Sequence, residues 1–326
     1  MTGPVRRPFP RPSGIITLLT DFGLADPYVG TVKGVILGIN PAARLVDLTH
    51  AVPPQDILRG ALALEAAYRF FPRGTVHLAV VDPGVGGARR PVALVADGHY
   101  FVGPDNGLLG FLLGSPGVVA VALTNPAYHR VPTSRTFHAR DIFAPVAARC
   151  SLGVPLQHFG PVVRRLARLS WPRARRVGRR VAGQILLADR FGNLLTNLAE
   201  ADLPAAPRAC VVEIGGVRIE GVGGTYGERP AGVLGAVIDS SGRLEVFVRE
   251  GSARERLRVG PGAPVSVSSG TSPPRSTSRA TPTSSRATPT SPSGSSRPPK
   301  TSRSRPSRGP SSRPPSPSSA TRRGSR

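Results

Sequence analysis

Lysine is nearly missing from this 326-residue chain: Lys33 and Lys300 are its only two, although Lys and Arg together number 43 against 19 acids. The basic excess is therefore almost entirely arginine. With a matching Ala, Gly and Pro bias, that fits a GC-rich genome. Cysteine is as scarce, and Cys150 and Cys210 form neither a close pair nor the even framework of a small secreted scaffold. A reducing cytoplasm is the expected context. Long apolar runs are also absent. The first begins at Gly14 and stops at Thr20-Asp21, and later ones are cut by Asp, Arg or Pro. Runs that short predict neither a signal-peptide core nor a membrane span.

What is there is unevenly distributed. Residues 268–326 hold Ser, Pro, Thr, Arg and Gly with almost nothing apolar, and residues 278–284 recur as 285–291. Such a segment buries too little surface to offset its ordering entropy, so the expectation is a disordered tail. It carries eleven Arg, one Lys and no acid, half of the formal +24. A further acid-free cluster comprises Arg164, Arg165, Arg168, Arg173, Arg175, Arg176, Arg179 and Arg180. The plain reading is a solvated linker and a tail, with nonspecific, salt-sensitive contact to polyanions as a consequence.

Between these lie alternating patterns. Residues 15–19, 45–48 and 76–81 read as short buried strands, and residues 28–39 and 56–71 as helices between them. Strand and helix alternating at this spacing predict a mainly parallel sheet, with ligands beyond the carboxyl ends of its strands. Residues 92–96 and 100–102 suggest a hairpin around Asp97-Gly98, and a helix is expected over 142–150. From 181 to 267 the runs are short, apolar and separated by Gly, Asp and Ser, the pattern of a small all-β barrel or sandwich. The expected organisation is an α/β N-terminal domain (14–163), an Arg-rich linker (164–180), an all-β C-terminal domain (181–267) and the tail (268–326).

Three segments carry candidate chemistry. Thr17-Leu18-Leu19-Thr20-Asp21-Phe22-Gly23 is a strand closing on a carboxylate. Val81-Asp82-Pro83-Gly84-Val85-Gly86-Gly87-Ala88-Arg89 places a carboxylate, a glycine-rich turn and an arginine within eight residues of a strand end. Thr136-Phe137-His138-Ala139-Arg140-Asp141 sets a histidine before an apolar run. The glycines of the second are not a phosphate-binding loop, since no Lys-Ser/Thr follows them. Asp21, Asp47, His50, Asp82, His138 and Asp141 are all types that bind divalent cations, but no His-x-x-x-His, His-x-His or Asp-x-Asp spacing accompanies them, and no metal is expected.

In this order the three segments resemble the S-adenosylmethionine hydroxide adenosyltransferases, relatives of the enzymes that fluorinate and chlorinate the same molecule. The resemblance spans roughly residues 14–267. It implies that Asp82, Arg89 and His138 hold and activate an attacking water, and that Asp21 accepts the ribose hydroxyls. A carboxylate and an imidazole can orient water or take its proton, while a permanent guanidinium charge favours hydroxide. Asp189-Arg190-Phe191-Gly192-Asn193 resembles the family segment whose Asp meets the methionine amino group and whose Asn meets the adenine edge. Ser240 and Ser241 match a pair holding the methionine carboxylate, although the halogenating enzymes have Arg in the second place. His50 matches a family motif without an evident role. Where halogenating relatives have Tyr and Ser, this chain has Asp82 and Ala139, and Gln55 replaces a Trp.

The expected activity is hydrolysis of S-adenosylmethionine to adenosine and methionine, with that molecule as substrate and no cofactor. The resemblance further implies a homotrimer in which one subunit's first domain faces the next subunit's second. Three rivals remain: a halogenase of the same fold, a metal-dependent hydrolase built on the Asp/His set, and a nucleic-acid-binding protein acting through its arginines.

Overall fold

A computed structural model describes residues 9–270. The expected tail lies outside the described residues, apart from 268–270. The N-terminal half is built from β1 (Ile15–Thr20), α1 (Tyr28–Ile39), β2 (Arg44–Thr49), α2 (Ile57–Ala67), β3 (Val76–Val80), β4 (Pro91–Ala96), β5 (His99–Pro104), β6 (Val119–Ala122) and α3 (Ala144–Ser151). Its six strands run in the order β2-β1-β3-β5-β4-β6. The pairs β1–β2, β1–β3 and β3–β5 are parallel, and β4 is antiparallel to both its neighbours.

Side-chain alternation along the central strands explains the two layers. Ile16 and Leu18 of β1 enter a core with Val32 and Ile36 of α1 and Val146 and Ala147 of α3. Leu19 enters another, with Ala61 and Leu64 of α2. Period-two strands thus separate period-3.6 helices onto opposite faces. Because β1 leads to β2 on one side while β3 returns on the other, the topological switch lies between β1 and β3. Thr20 is in register with Val80, so the chain leaves both strands at the same edge, and Asp21 and Asp82 follow directly. Ligands of open α/β sheets bind at such an edge.

Two helices differ from expectation. The pattern over 56–71 ends its α-helix at Ala67 and tightens into a single turn over Tyr68–Phe70. Asp56 caps its start by accepting from the Arg59 N–H at 2.9 Å. The helix expected at 142–150 begins earlier as a π-helical turn over Ala139–Phe143, directly after His138, and continues as α3. Such wide turns recur beside functional residues.

The C-terminal half comprises β7 (Arg175–Val177), β8 (Arg180–Ala188), β9 (Leu194–Ala199), β10 (Cys210–Ile214), β11 (Val217–Glu220), β12 (Leu234–Ile238), β13 (Arg243–Val248), the short α4 (Ala253–Leu257) and β14 (Pro264–Ser269). All its strand pairs are antiparallel, in the order β11-β10-β14-β8-β9-β13-β12 with β7 on β8, and Gly223 bridges to Val237 to bring the ends of the sheet close to closure. The result is near a barrel around Ile185, Leu194, Val212, Val246 and Val267.

The composition shift at residue 268 does not end this domain. Ser268 and Ser269 still pair with Val211 and Cys210, and the Gly270 N–H donates to the Ala209 carbonyl at 2.6 Å. Ladder hydrogen bonds need only backbone, so serines continue a strand that hydropathy alone ends early. The arginine-rich stretch is likewise more than a solvated linker. Leu166 and Trp171 pack on the first domain's core, the Ala167 N–H donates to Asp105 at 2.6 Å, and Arg175–Val177 forms β7. Its eight arginines themselves stay exposed. Cys150 and Cys210 are both free and buried. No described helix is long and apolar enough to cross a membrane.

Candidate active site

At the switch edge, Asp21 follows β1 and Asp82 lies two residues past β3. The Asn106 side-chain amide donates to the Val81 carbonyl at 2.8 Å, fixing the strand end that carries Asp82. From there the chain turns back, and Arg89 forks onto Asp82 with Nε to Oδ1 at 2.9 Å and Nη2 to Oδ2 at 2.5 Å. Nη2 also lies 2.9 Å from Nδ1 of His138. The side chains of Arg89 and Asp82 are 8% and 6% exposed, so this ion pair is largely out of water.

That geometry assigns the histidine tautomer. A guanidinium has no lone pair to offer, so Nδ1 must accept and the proton sits on Nε2. Burial, then the Arg89 charge, hold the His138 pKa below its ordinary value, while Asp82 and Asp141 oppose them. His138 is therefore neutral near pH 7, with its Nε2–H as the ring donor that Arg89 leaves unused.

Glycine at 86 makes the assembly possible. Its φ is +75°, and a Cβ there would lie 2.2 Å from the Arg135 carbonyl oxygen. The loop after Asp82 thus touches the backbone leading to His138, an approach only glycine permits. Asp141, fully buried, accepts from the Ser134 N–H at 2.8 Å and from the Arg140 fork at 2.7 and 2.8 Å, which anchors the same segment from behind. Under Arg89 the Phe143 ring lies 5.5 Å from its guanidinium carbon.

Asp21, Asp82 and His138 line one cavity of about 690 Å³, together with Pro54, Gln55 and Ala139. Phe22, Tyr28 and Phe137 form its aromatic wall, with ring centroids 5.3–6.1 Å apart in edge-to-face contact. Sequence reasoning missed this wall. Its only signal was that Phe22 and Phe137 lie within the first and third of the motifs, with Tyr28 shortly after the first. Gln55 is held at φ +69°, and its N–H donates to Asp21 Oδ2 at 2.8 Å, leaving Oδ1 and the second lone pair of Oδ2 for a ligand.

The second-domain candidates are placed elsewhere. Asp189 closes its own loop, with Oδ1 accepting from the N–H groups of Phe191 and Asn193 at 2.9 and 2.8 Å. Neither Asp189 nor Asn193 lines the cavity of Asp82 within one chain. Ser240 and Ser241 line a different hollow of about 270 Å³, with Glu65, Arg69 and Arg243. The Ser241 hydroxyl is already committed to the Asp239 carboxylate, at 2.7 and 2.9 Å from its two oxygens. Register sets the Asp189 loop and the Ser240 turn at opposite ends of the β9–β13 pair, since Leu194 faces Val246 and Ala199 faces Arg243. Between them the buried Glu245 accepts from Tyr226 at 2.8 Å, and burial, with Asp189 and Asp239 nearby, raises its pKa. Within the chain, α2 ties the halves: Arg59 donates to the Ala188 carbonyl, and Glu65 pairs with Arg243 at 3.0 Å.

The fold and this edge site define an α/β ligand-binding domain joined to a small antiparallel barrel. The chain matches the SAM hydroxide adenosyltransferase N-terminal domain over residues 16–160 and the C-terminal domain over residues 183–266. It belongs to the SAM hydroxide adenosyltransferase family. It is 46% identical to an (R)-S-adenosyl-L-methionine hydrolase of Thermus thermophilus over 262 residues, covering 77% of this chain and 98% of that one. A protein of the same description from Salinispora tropica is 43% identical over 264 residues, covering 79% and 99%. A fluorinase from an Actinoplanes species is more distant, at 31% over 220 residues, with 59% of this chain and 74% of that one covered. Among solved structures, an uncharacterized conserved protein from Thermotoga maritima superposes with a TM-score of 0.73 at 35% identity, covering 78% and 99%.

Proposed function

We propose that this protein hydrolyses S-adenosyl-L-methionine to adenosine and L-methionine by attack of water on the ribose C5′. The observation that carries the reading is that Asp82 and His138 line the cavity that also holds Asp21 and are joined to each other by the Arg89 guanidinium, which itself does not line it. A new O–C5′ bond forms as the C5′–S bond breaks, its electron pair stays on sulfur, and one proton of the water leaves. Neutral methionine departs from a sulfonium without a metal or an acid, so the protein's work is positioning and charge. With Nδ1 of His138 turned to Arg89, Asp82 is the group that takes the water proton, and the His138 Nε2–H holds the oxygen.

Several features favour water over a halide. Ala139 offers no hydroxyl to an anion, and the Asp82 carboxylate on the cavity wall presents acceptor oxygens to water where an anion would meet like charge only partly offset by Arg89. The names of the hydrolase relatives specify the (R) sulfonium epimer, and we take that epimer as the substrate here. For recognition, Asp21 takes the ribose hydroxyls, while Asp189 and Asn193 take the methionine amino group and the adenine edge. Ser240 and Ser241 remain the proposed carboxylate pair, for which Ser241 would have to release Asp239. Because these groups do not share a cavity within one chain, we propose a homotrimer whose sites form between the first domain of one copy and the second domain of the next. The exposed arginines of residues 164–180 and those of the tail favour weak polyanion contact beside this activity.

The test is purified protein with each epimer in oxygen-18 water, with chloride or a chelator added in parallel. Expected are methionine and adenosine labelled at the 5′ oxygen, with no 5′-halide and no effect of the chelator. Unlabelled adenosine or a 5′-chloride product refutes the reading. Light scattering on the same sample should give three times the chain mass.

A further inference from the structure

His50 stands outside the catalytic trio and lines no part of the cavity, yet it holds the loop that carries Asp21 from two sides. Between β1 and β2 the register slips by a residue: Leu18 pairs with Asp47, but Leu19 pairs with Thr49. Such a bulge re-aims the chain after it. Here it sets the His50 ring, 5% exposed, under the last residue of β1. Nδ1 lies 2.8 Å from the Thr20 hydroxyl, which in turn accepts from the Phe22 N–H at 3.3 Å. The His50 carbonyl accepts from the Gly23 N–H at 2.8 Å. Asp21 is thus framed between two residues that His50 fixes, one through its ring and one through its backbone. Behind the ring, Nε2 lies 3.1 Å from Asp47 Oδ1 without the alignment of a hydrogen bond, and Lys33 holds the other Asp47 oxygen at 2.6 Å.

We infer that His50 is a positioning residue for ribose recognition, setting the Asp21 carboxylate through Thr20 so that it meets both ribose hydroxyls. The inference rests on the assignment of Asp21 to the ribose. A core histidine of the same burial would support folding but would not set the enzyme's preference for a complete ribose, and this distinguishes the two roles.

The experiment measures kcat and KM for S-adenosylmethionine and for its 2′-deoxyribose analogue, with melting temperatures alongside. Wild type should prefer the complete ribose, and Asp21→Ala should abolish the preference. His50→Ala should lower the preference about tenfold, mainly through KM, the scale of one misplaced hydrogen bond to a charged group. Restoration is expected in His50→Asn, whose amide occupies the place of Nδ1. Thr20→Val keeps the β-branched shape, removes the relay and should reproduce the loss even if His50→Ala does not fold. Wild-type preference in His50→Ala or in Thr20→Val, whatever the melting temperature, overturns the inference while leaving Asp21 in place. Persistence of the preference in Asp21→Ala overturns the ribose assignment itself, and this inference with it.

Discussion

Replacing Arg89 with Met is the sharpest test of the proposed chemistry, because it removes one charge and keeps most of the side chain's bulk. The stem continues to pack near Gly84, where the Arg89 Cγ lies 3.3 Å from a Cβ built at that glycine. What is lost is the fork onto Asp82, a carboxylate only 6% exposed. Breaking a buried pair by deleting one member typically costs about 3–5 kcal/mol, since the other charge is left without a partner. In Asp82→Asn, Arg89→Met and the double variant, denaturant unfolding should therefore give a strongly non-additive cycle, with the double destabilised by less than the sum of the singles. Turnover should fall by about 10² or more in each, as for loss of a positioned acid–base group. The His138 pKa, read by NMR, should rise in Arg89→Met, because the removed charge was holding it down while Asp82 still pulls it up. Additive stabilities with an unmoved His138 titration would show that these three side chains are not one unit and would refute the reasoning.

Gly86→Ala should lose activity and about 1–3 kcal/mol of stability, since it strains a left-handed residue and meets the Arg135 carbonyl. Gly87→Ala is the milder control; equal tolerance of both would mean the loop does not rest on that backbone. Burial pushes the His77 pKa from 6.5 down to about 3. Its contribution to stability is therefore complete above pH 6.5 and drains as the pH falls toward 3, where the unfolded chain binds a proton that the folded chain refuses. Unfolding free energies across that window should slope less steeply in His77→Phe, and an unchanged slope would exclude His77 as the source. Truncation after Gly270 removes twelve positive charges and should leave turnover and melting unchanged while reducing the salt-dependent binding of polyanions. Loss of turnover would make the tail part of the catalytic body.

How much was legible follows from what each feature depends on. The helix at Tyr28–Ile39 and the strands carrying Asp21 and Asp82 were readable because apolar periodicity is local, and a carboxylate closing such a run marks a strand's end. β7 and the last residues of β14 were missed because arginines and serines can hold a ladder by backbone alone. The packing of the arginine-rich stretch depends on Asp105 and Ala167, 62 residues apart, a partnership no local pattern announces. Ser241 was legible as a serine in a turn, but not as one whose hydroxyl Asp239 already holds. The cavity follows from topology. β1 and β3 are neighbours although β2 falls between them in the chain, and only that order sets Asp21 beside Asp82. In the proposed trimer, Asp189 and Asn193 serve another copy's cavity. A motif can state the chemistry of such residues without stating which chain they complete, so the two proposed halves of the grip read as one site in sequence while lining no common cavity in a single subunit.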